Sequence, residues 1–206
     1  MFHQAVSWLR KADKMSEAIP NPQRQYTPFV SYSSVFTREE CAQIKTLGAK
    51  CEGVAATIED NRMDESRKSE VGWIVFTEET RWLYERLDSS VNSANDFYRF
   101  DLHEIPVTES LQYTVYRHGD HYSWHRDGLE MGLEDRKLTA VAYLDDPRSY
   151  DGGNLELLSC NIARKFPPRN QGDVVVFPSF EHHRVTPVSA GVRTTLVAWA
   201  SGPAFR

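Results

Sequence analysis

From about residue 108 onward the chain is cut into short runs of β-branched and aromatic residues separated by Gly, Pro and Asp, and this punctuation leaves few folds open. Leu111–Arg117, Tyr122–Asp127, Leu138–Leu144, Asn154–Leu158, Asp173–Phe177, His183–Val188 and Arg193–Trp199 each read as a strand. So many short strands in roughly 90 residues imply a sandwich or barrel. Helical patterning is confined to the first half. A capping box at Thr37-Arg-Glu-Glu40 opens a helix with Cys41, Ile44 and Leu47 on one face and Gly48 as its stop. A second helix is expected to start near Thr77, with Leu83, Leu87 and Val91 at a spacing of four. The expected class is α+β, with N-terminal helices packed on one sheet of a jelly-roll core, the double-stranded β-helix.

At 206 residues the chain suits one domain, and 40% apolar with 12% aromatic residues is the globular range. Residues 1–28, polar and interrupted by Pro20, Pro22 and Pro28, read as an N-terminal arm, leaving 29–206 as the domain and about 108–202 as its β-core. The net charge of −5 is spread along the chain without a basic patch, which disfavours nucleic acid as a partner. Cys41, Cys51 and Cys160 are well separated and form no Cys-x-x-Cys pattern, so they read as buried thiols in a reducing compartment. The first fifteen residues lack the apolar core of a secretory signal, and no stretch approaches the ~18 apolar residues of a membrane span. The expectation is a cytoplasmic protein without a membrane anchor; the sequence sets no oligomeric state. The charged run 59–70 reads as a solvated loop, with a mobile lid as the alternative.

Chemistry concentrates in His125-x-Asp127 and the distant His183. Strand side chains repeat every two residues, so an extended His-x-Asp turns both groups to one face, and a remote histidine can complete a three-cornered site. Two imidazoles and one carboxylate on one side of a metal suit non-haem Fe(II), with open positions opposite. Alone, the tripeptide is equally a hydrogen-bonded surface pair. Its weight comes from what accompanies it: Tyr116-x-x-Gly119-x-x-Tyr122-x-x-His125-x-Asp127, Tyr143-Leu144, Gly152-Gly153-x-Leu155, and His183-x-Val185-x-Pro187-Val188 followed by Arg193.

Together these resemble the Fe(II)/2-oxoglutarate-dependent dioxygenases, and within them the prolyl 4-hydroxylase-like branch, over roughly residues 108–202. The resemblance implies Fe(II) on His125, Asp127 and His183, with His182 as the rival for the distal role. It implies 2-oxoglutarate held at its far carboxylate by Arg193, which a planar guanidinium grips bidentately. Tyr116 would contact the cosubstrate, Thr195 would add a hydroxyl, and a second cosubstrate tyrosine falls at Ala142 or Tyr143. The collagen-type branch usually has lysine where Arg193 stands, so the chain looks more like the bacterial and oxygen-sensing hydroxylases. The resemblance further implies O₂ as cosubstrate, with ascorbate (vitamin C) as an optional addition. Related halogenases lack the carboxylate, so Asp127 favours hydroxylation.

Arg67, Ser69 and Trp73 resemble positions that recur in the branch, without an assigned role. Gly152-Gly153 reads as a turn needing φ > 0, and Trp124 and Trp199 as core, with Trp199 sharing strand parity with Arg193. Residues 59–73 and 128–137 are expected to be loops that set specificity and close over the substrate, with a plain strand connection as the alternative for 128–137. The leading expectation is a hydroxylase of an unactivated C–H in a peptide or protein, at proline. The alternatives are a hydroxylase of a free amino acid or other small molecule, a cupin-type Zn or Mn enzyme, and a non-catalytic jelly-roll binding module.

Overall fold

A computed structural model describes residues 26–51, 54–55, 66–128, 133–159 and 163–204. The order of elements is β1 (Val30–Tyr32), α1 (Arg38–Lys50), β2 (Val54–Ala55), β3 (Arg67–Lys68), β4 (Glu70–Ile74), α2 (Arg81–Tyr98), β5 (Leu111–Tyr116) and β6 (His121–His125). There follow β7 (Arg136–Tyr143), β8 (Tyr150–Gly152), β9 (Leu155–Ser159), β10 (Ala163–Lys165), β11 (Val174–Pro178), β12 (His183–Val185), β13 (Val188–Gly191) and β14 (Arg193–Ser201). One sheet runs β1-β11-β7-β14-β5-β4-β2, a second β10-β9-β12-β6-β3, and β13 pairs with β8. The pairings are antiparallel.

The larger sheet is covered on both faces, and the period of two divides its residues cleanly. Leu138, Ala140, Ala142, Val174, Val176, Leu196 and Ala198 share one cluster with Cys41 and Ile44 of α1 and Leu83, Leu87 and Val91 of α2. Each of these leucines and isoleucines contributes about 1.5–3 kcal/mol on burial. The alternate residues Val141, Tyr143, Val175 and Phe177 pack instead against Leu155 and Leu157 of the smaller sheet. Arg193, Thr195, Val197 and Trp199 take the same inward parity on β14 and line the cavity between the sheets.

The capping box forms as expected, with the Glu40 amide donating to Thr37 Oγ1 and the Thr37 amide to Glu40. Glu40 also accepts from both terminal nitrogens of Arg86, tying α2 to α1. Gly48 is not the stop: α1 continues to Lys50. Its requirement comes from packing, since a Cβ on Gly48 would lie 2.3 Å from Cγ of Tyr113. Gly48→Val should therefore destabilise the protein by about 1–3 kcal/mol through overpacking, read as a lower denaturation midpoint. The second helix starts four residues later than Thr77, because the hydroxyls of Thr77 and Thr80 close a turn there, Thr80 donating to the Val75 carbonyl at 2.7 Å.

Other expectations need correction. The run His183–Val188 splits into β12 and β13 around Thr186 and Pro187. Residues 66–73 are not a loop, since they supply β3 and most of β4, while 56–65 lie outside the described residues. In the segment 128–137, Arg136 and Lys137 already belong to β7, and 129–132 lie outside the described residues. Trp124 is not core but half-buried beneath the Arg184 guanidinium, 4.9 Å from the ring centre. Cys41 is buried and Cys51 only partly so; Cys160 and residues 1–25 of the N-terminal arm lie outside the described residues. Gly152 and Gly153 do adopt φ of +72° and +57°.

Candidate active site

Cross-strand register brings the two distant histidines together: His183 on β12 sits directly opposite His125 on β6, with ring centres 4.0 Å apart. Asp127 lies just past the end of β6 rather than within a strand. Its position is fixed by backbone, the amides of Asp127 and Gly128 both donating to the Ser179 carbonyl at 2.9 and 3.0 Å. His125, Asp127 and His183 offer ligand atoms all within 4.8 Å of one another, a grouping that could hold a metal ion. Nε2 of His125 is 3.5 Å from Asp127 Oδ1, and Nε2 of His183 is 3.4 Å from Oδ2. His182 does not enter this group; its Nδ1 lies 3.5 Å from Arg126.

Both rings are oriented from behind. Nδ1 of His125 faces the Ser123 carbonyl at 2.8 Å, and Nδ1 of His183 faces the Glu181 carbonyl at 3.0 Å. Carbonyls only accept, so each Nδ1 carries the proton and each Nε2 presents its lone pair to the cluster. Tyr122 stacks on His125 at 3.4 Å, and Phe177 meets His183 edge-on at 4.9 Å. Burial lowers the His125 pKa. Burial alone would do the same to His183, but the Asp127 charge outweighs it and raises that ring. The two imidazoles, His183 foremost, likewise outweigh desolvation at Asp127 and hold its carboxyl well below the ordinary range, so it is ionised.

Thr139 on β7 completes the arrangement by donating from Oγ1 to Asp127 Oδ2 at 2.9 Å, with Ser179 Oγ 3.0 Å away. Sequence reasoning missed this pair; only the register of β7 against β11 reveals it. Thr139→Val should lower Mn(II) affinity roughly 10–100-fold, as losing an outer-shell partner does, while Thr139→Ser should restore most of it.

Deeper in the cavity, Arg193 is 1% exposed, and its Nε and Nη1 meet no hydrogen-bond partner among the described residues. Its guanidinium carbon lies 5.1 Å from the Tyr116 ring centre and 5.5 Å from that of Tyr143. Gly153 leaves space for its stem, since a Cβ there would stand 2.8 Å from Arg193 Cδ. Burial raises both tyrosines, Tyr143 to about 12, so the hydroxyls stay protonated and can donate. The Tyr143 hydroxyl is buried without a partner among the described residues. Of the two candidate positions, Tyr143 thus faces the guanidinium and Ala142 the opposite side of the sheet. Thr195 lines the same cavity, about 290 Å³ in volume. Lys137 and Arg184 are engaged elsewhere, with the Glu134 carbonyl and with Glu156.

Residues 111–201 match the model of the 2OG-Fe(II) oxygenase superfamily. The matched segment carries His125, Asp127, His183 and Arg193. Among curated proteins, the PKHD-type hydroxylase YbiX of Shigella boydii is 33% identical over 124 residues, covering 57% of this chain and 55% of that protein. The chain spans about half the length of the curated relatives it matches. Among solved structures, a prolyl-4-hydroxylase of Pseudomonas putida superposes with a TM-score of 0.68 at 19% identity, covering 88% of this chain and 96% of that one. A Trichoplax adhaerens prolyl hydroxylase, solved with a hypoxia inducible factor oxygen degradation domain peptide fragment, gives 0.65 at 18% identity, covering 95% and 93%. Both likenesses are of fold.

Proposed function

We propose that the protein is a 2-oxoglutarate- and Fe(II)-dependent hydroxylase acting on an unactivated C–H, with a prolyl residue of a peptide or protein as the leading substrate class. The observation that carries this reading is the pairing, in one cavity, of a His-Asp-His ligand group with a buried arginine whose Nε and Nη1 lack a partner among the described residues. The donor set suits Fe(II), and an unmatched guanidinium beside two protonated tyrosines suits a dicarboxylate. His125, Asp127 and His183 would hold the metal, while Arg193, Tyr116 and Tyr143 would take the far carboxylate of 2-oxoglutarate, with Thr195 at its side. Bound there, Fe(II) with 2-oxoglutarate and O₂ supplies the oxidising power that C–H hydroxylation needs.

The chain's own share is positional. The Ser123 and Glu181 carbonyls fix which nitrogen each histidine presents, Thr139 and Ser179 hold the carboxylate, and Phe177, Val141 and Leu155 keep the inner wall apolar. Under this reading the two facing sheets form the jelly roll and α1 and α2 buttress the larger one, with residues 29–206 as one domain. A peptide substrate is supported by the Trichoplax neighbour and its bound fragment. Among the described residues no helix is long and apolar enough to cross a membrane, and the unpaired Cys41 and Cys51 suit a reducing cytoplasm.

The test is metal-dependent consumption of 2-oxoglutarate by the purified chain, with ascorbate present to keep iron reduced. Fe(II) should support its conversion to succinate and Zn(II) should not. Equal activity with Zn(II), or none with Fe(II), would turn the assignment towards the cupin-type or the non-catalytic reading.

A further inference from the structure

The cavity lining holds two more cations, Arg67 and Arg126, than metal and cosubstrate account for. Among its described lining residues Asp127 is the acidic one, whereas Arg67, Arg126, Arg136 and Arg193 are cationic. Arg193 is committed to the cosubstrate under the reading above, and Arg136 is paired with Glu109 and lies over Trp199. Arg67 is different. Its Nε donates to Ser69 Oγ at 3.0 Å, which fixes the plane of the guanidinium, and its central carbon sits 4.5 Å above the Tyr122 ring. Tyr122 in turn stacks on the candidate ligand His125. A column of three planar groups therefore holds Arg67 one ring away from His125, while its Nη2 is buried with no partner among the described residues.

A buried charged donor without a partner is costly, so a native structure meets it with a water, an ion or a ligand. Charge points the same way. A divalent metal, ionised Asp127, dianionic 2-oxoglutarate and Arg193 together sum to zero, so the charge of Arg67 is left for the substrate. Arg126, whose Nε also lacks a partner among the described residues, adds a second positive charge to the lining. Beside them, Trp73 (45% exposed) and Trp199, ring centres 6.2 Å apart, offer an apolar platform.

We infer that the substrate of this site carries a carboxylate beside the apolar group to be hydroxylated, and that Arg67 binds that carboxylate. The inference rests on the hydroxylase reading and narrows its substrate. The carboxylate can belong to an acidic side chain next to the reacting residue in a peptide, or to the α-carboxylate of a free amino acid.

The experiment loads the full chain with Mn(II) and 2-oxoglutarate, so that no turnover occurs, and titrates matched probes while following Mn(II) broadening of their proton signals. One pair is an N-acetyl Pro-Glu peptide amide and its Pro-Gln counterpart; the other is L-proline and L-prolinamide. In at least one pair the carboxylate probe should bind at least about tenfold tighter than the amide, as expected for a charge-assisted contact. The pair that discriminates identifies the source. Arg67→Gln should abolish the preference and Arg67→Lys should retain part of it, with Mn(II) titration checking that the variant site still forms. Equal binding of carboxylate and amide in both wild-type pairs would overturn the inference, as would a preference that survives in Arg67→Gln. If the variants do not fold, the wild-type comparison alone decides. Failure of the wild-type chain to bind Mn(II) and 2-oxoglutarate would instead overturn the hydroxylase reading.

Discussion

Replacing Asp127 with alanine should abolish 2-oxoglutarate consumption and weaken metal binding by more than the roughly 10–100-fold typical of losing an outer-shell contact. Asp127 is the one anion of the ligand group, and both histidine Nε2 atoms face it, at 3.5 and 3.4 Å. Without it a divalent ion would keep two neutral ligands in a buried site. The same substitution has a second consequence in the metal-free protein. The Asp127 charge is what raises His183 against the effect of burial, so the ring's pKa should fall in the variant, which an NMR titration would report. The sign follows from linkage. A raised histidine contributes stability that is present below its unfolded pKa and is lost as pH rises through the folded one, so metal-free wild type should lose this increment as pH rises above the ordinary histidine range and the variant should not. A variant with full turnover would remove the basis for the ligand group.

Arg193→Leu should raise the KM for 2-oxoglutarate steeply while leaving Mn(II) affinity nearly unchanged. The expected loss is on the order of 2–4 kcal/mol, about 30-fold to nearly 1,000-fold, because a buried carboxylate would face an apolar side chain where a fork of donors stood. Lys137 and Arg184 are engaged with other groups, and the nearby tyrosine hydroxyls are neutral donors. An unchanged KM would mean that the far carboxylate lies elsewhere in the cavity.

Much of this site could be read from residue order, because its parts obey the period of two. Arg193, Thr195 and Trp199 share a face as spacing alone requires, and Tyr113 and Tyr116 fall on opposite faces of β5. The capping box at Thr37 and the positive φ at Gly152 and Gly153 were likewise local properties of their residues. What escaped the sequence was tertiary. Gly48 resembles a helix stop, yet it is demanded by the ring of Tyr113 on a distant strand. Asp127 sits beyond the strand that should have carried it, because the Ser179 carbonyl captures its amide. Thr139 carries no local mark of its contact with Asp127, which depends on β7 lying beside β11. Residues 66–70 end a charged run that suggests a solvated loop, but backbone pairing to β5 and β6 makes most of them strand and brings Arg67 into the cavity.

The most direct measurement is a crystal structure of the protein grown anaerobically with Fe(II) and 2-oxoglutarate, with the metal located by anomalous scattering at the iron edge. The account predicts one anomalous peak within bonding distance of His125 Nε2, His183 Nε2 and the Asp127 carboxylate, with the far carboxylate of 2-oxoglutarate on Arg193. An anomalous peak at any other group of residues, or 2-oxoglutarate bound away from Arg193, would contradict it.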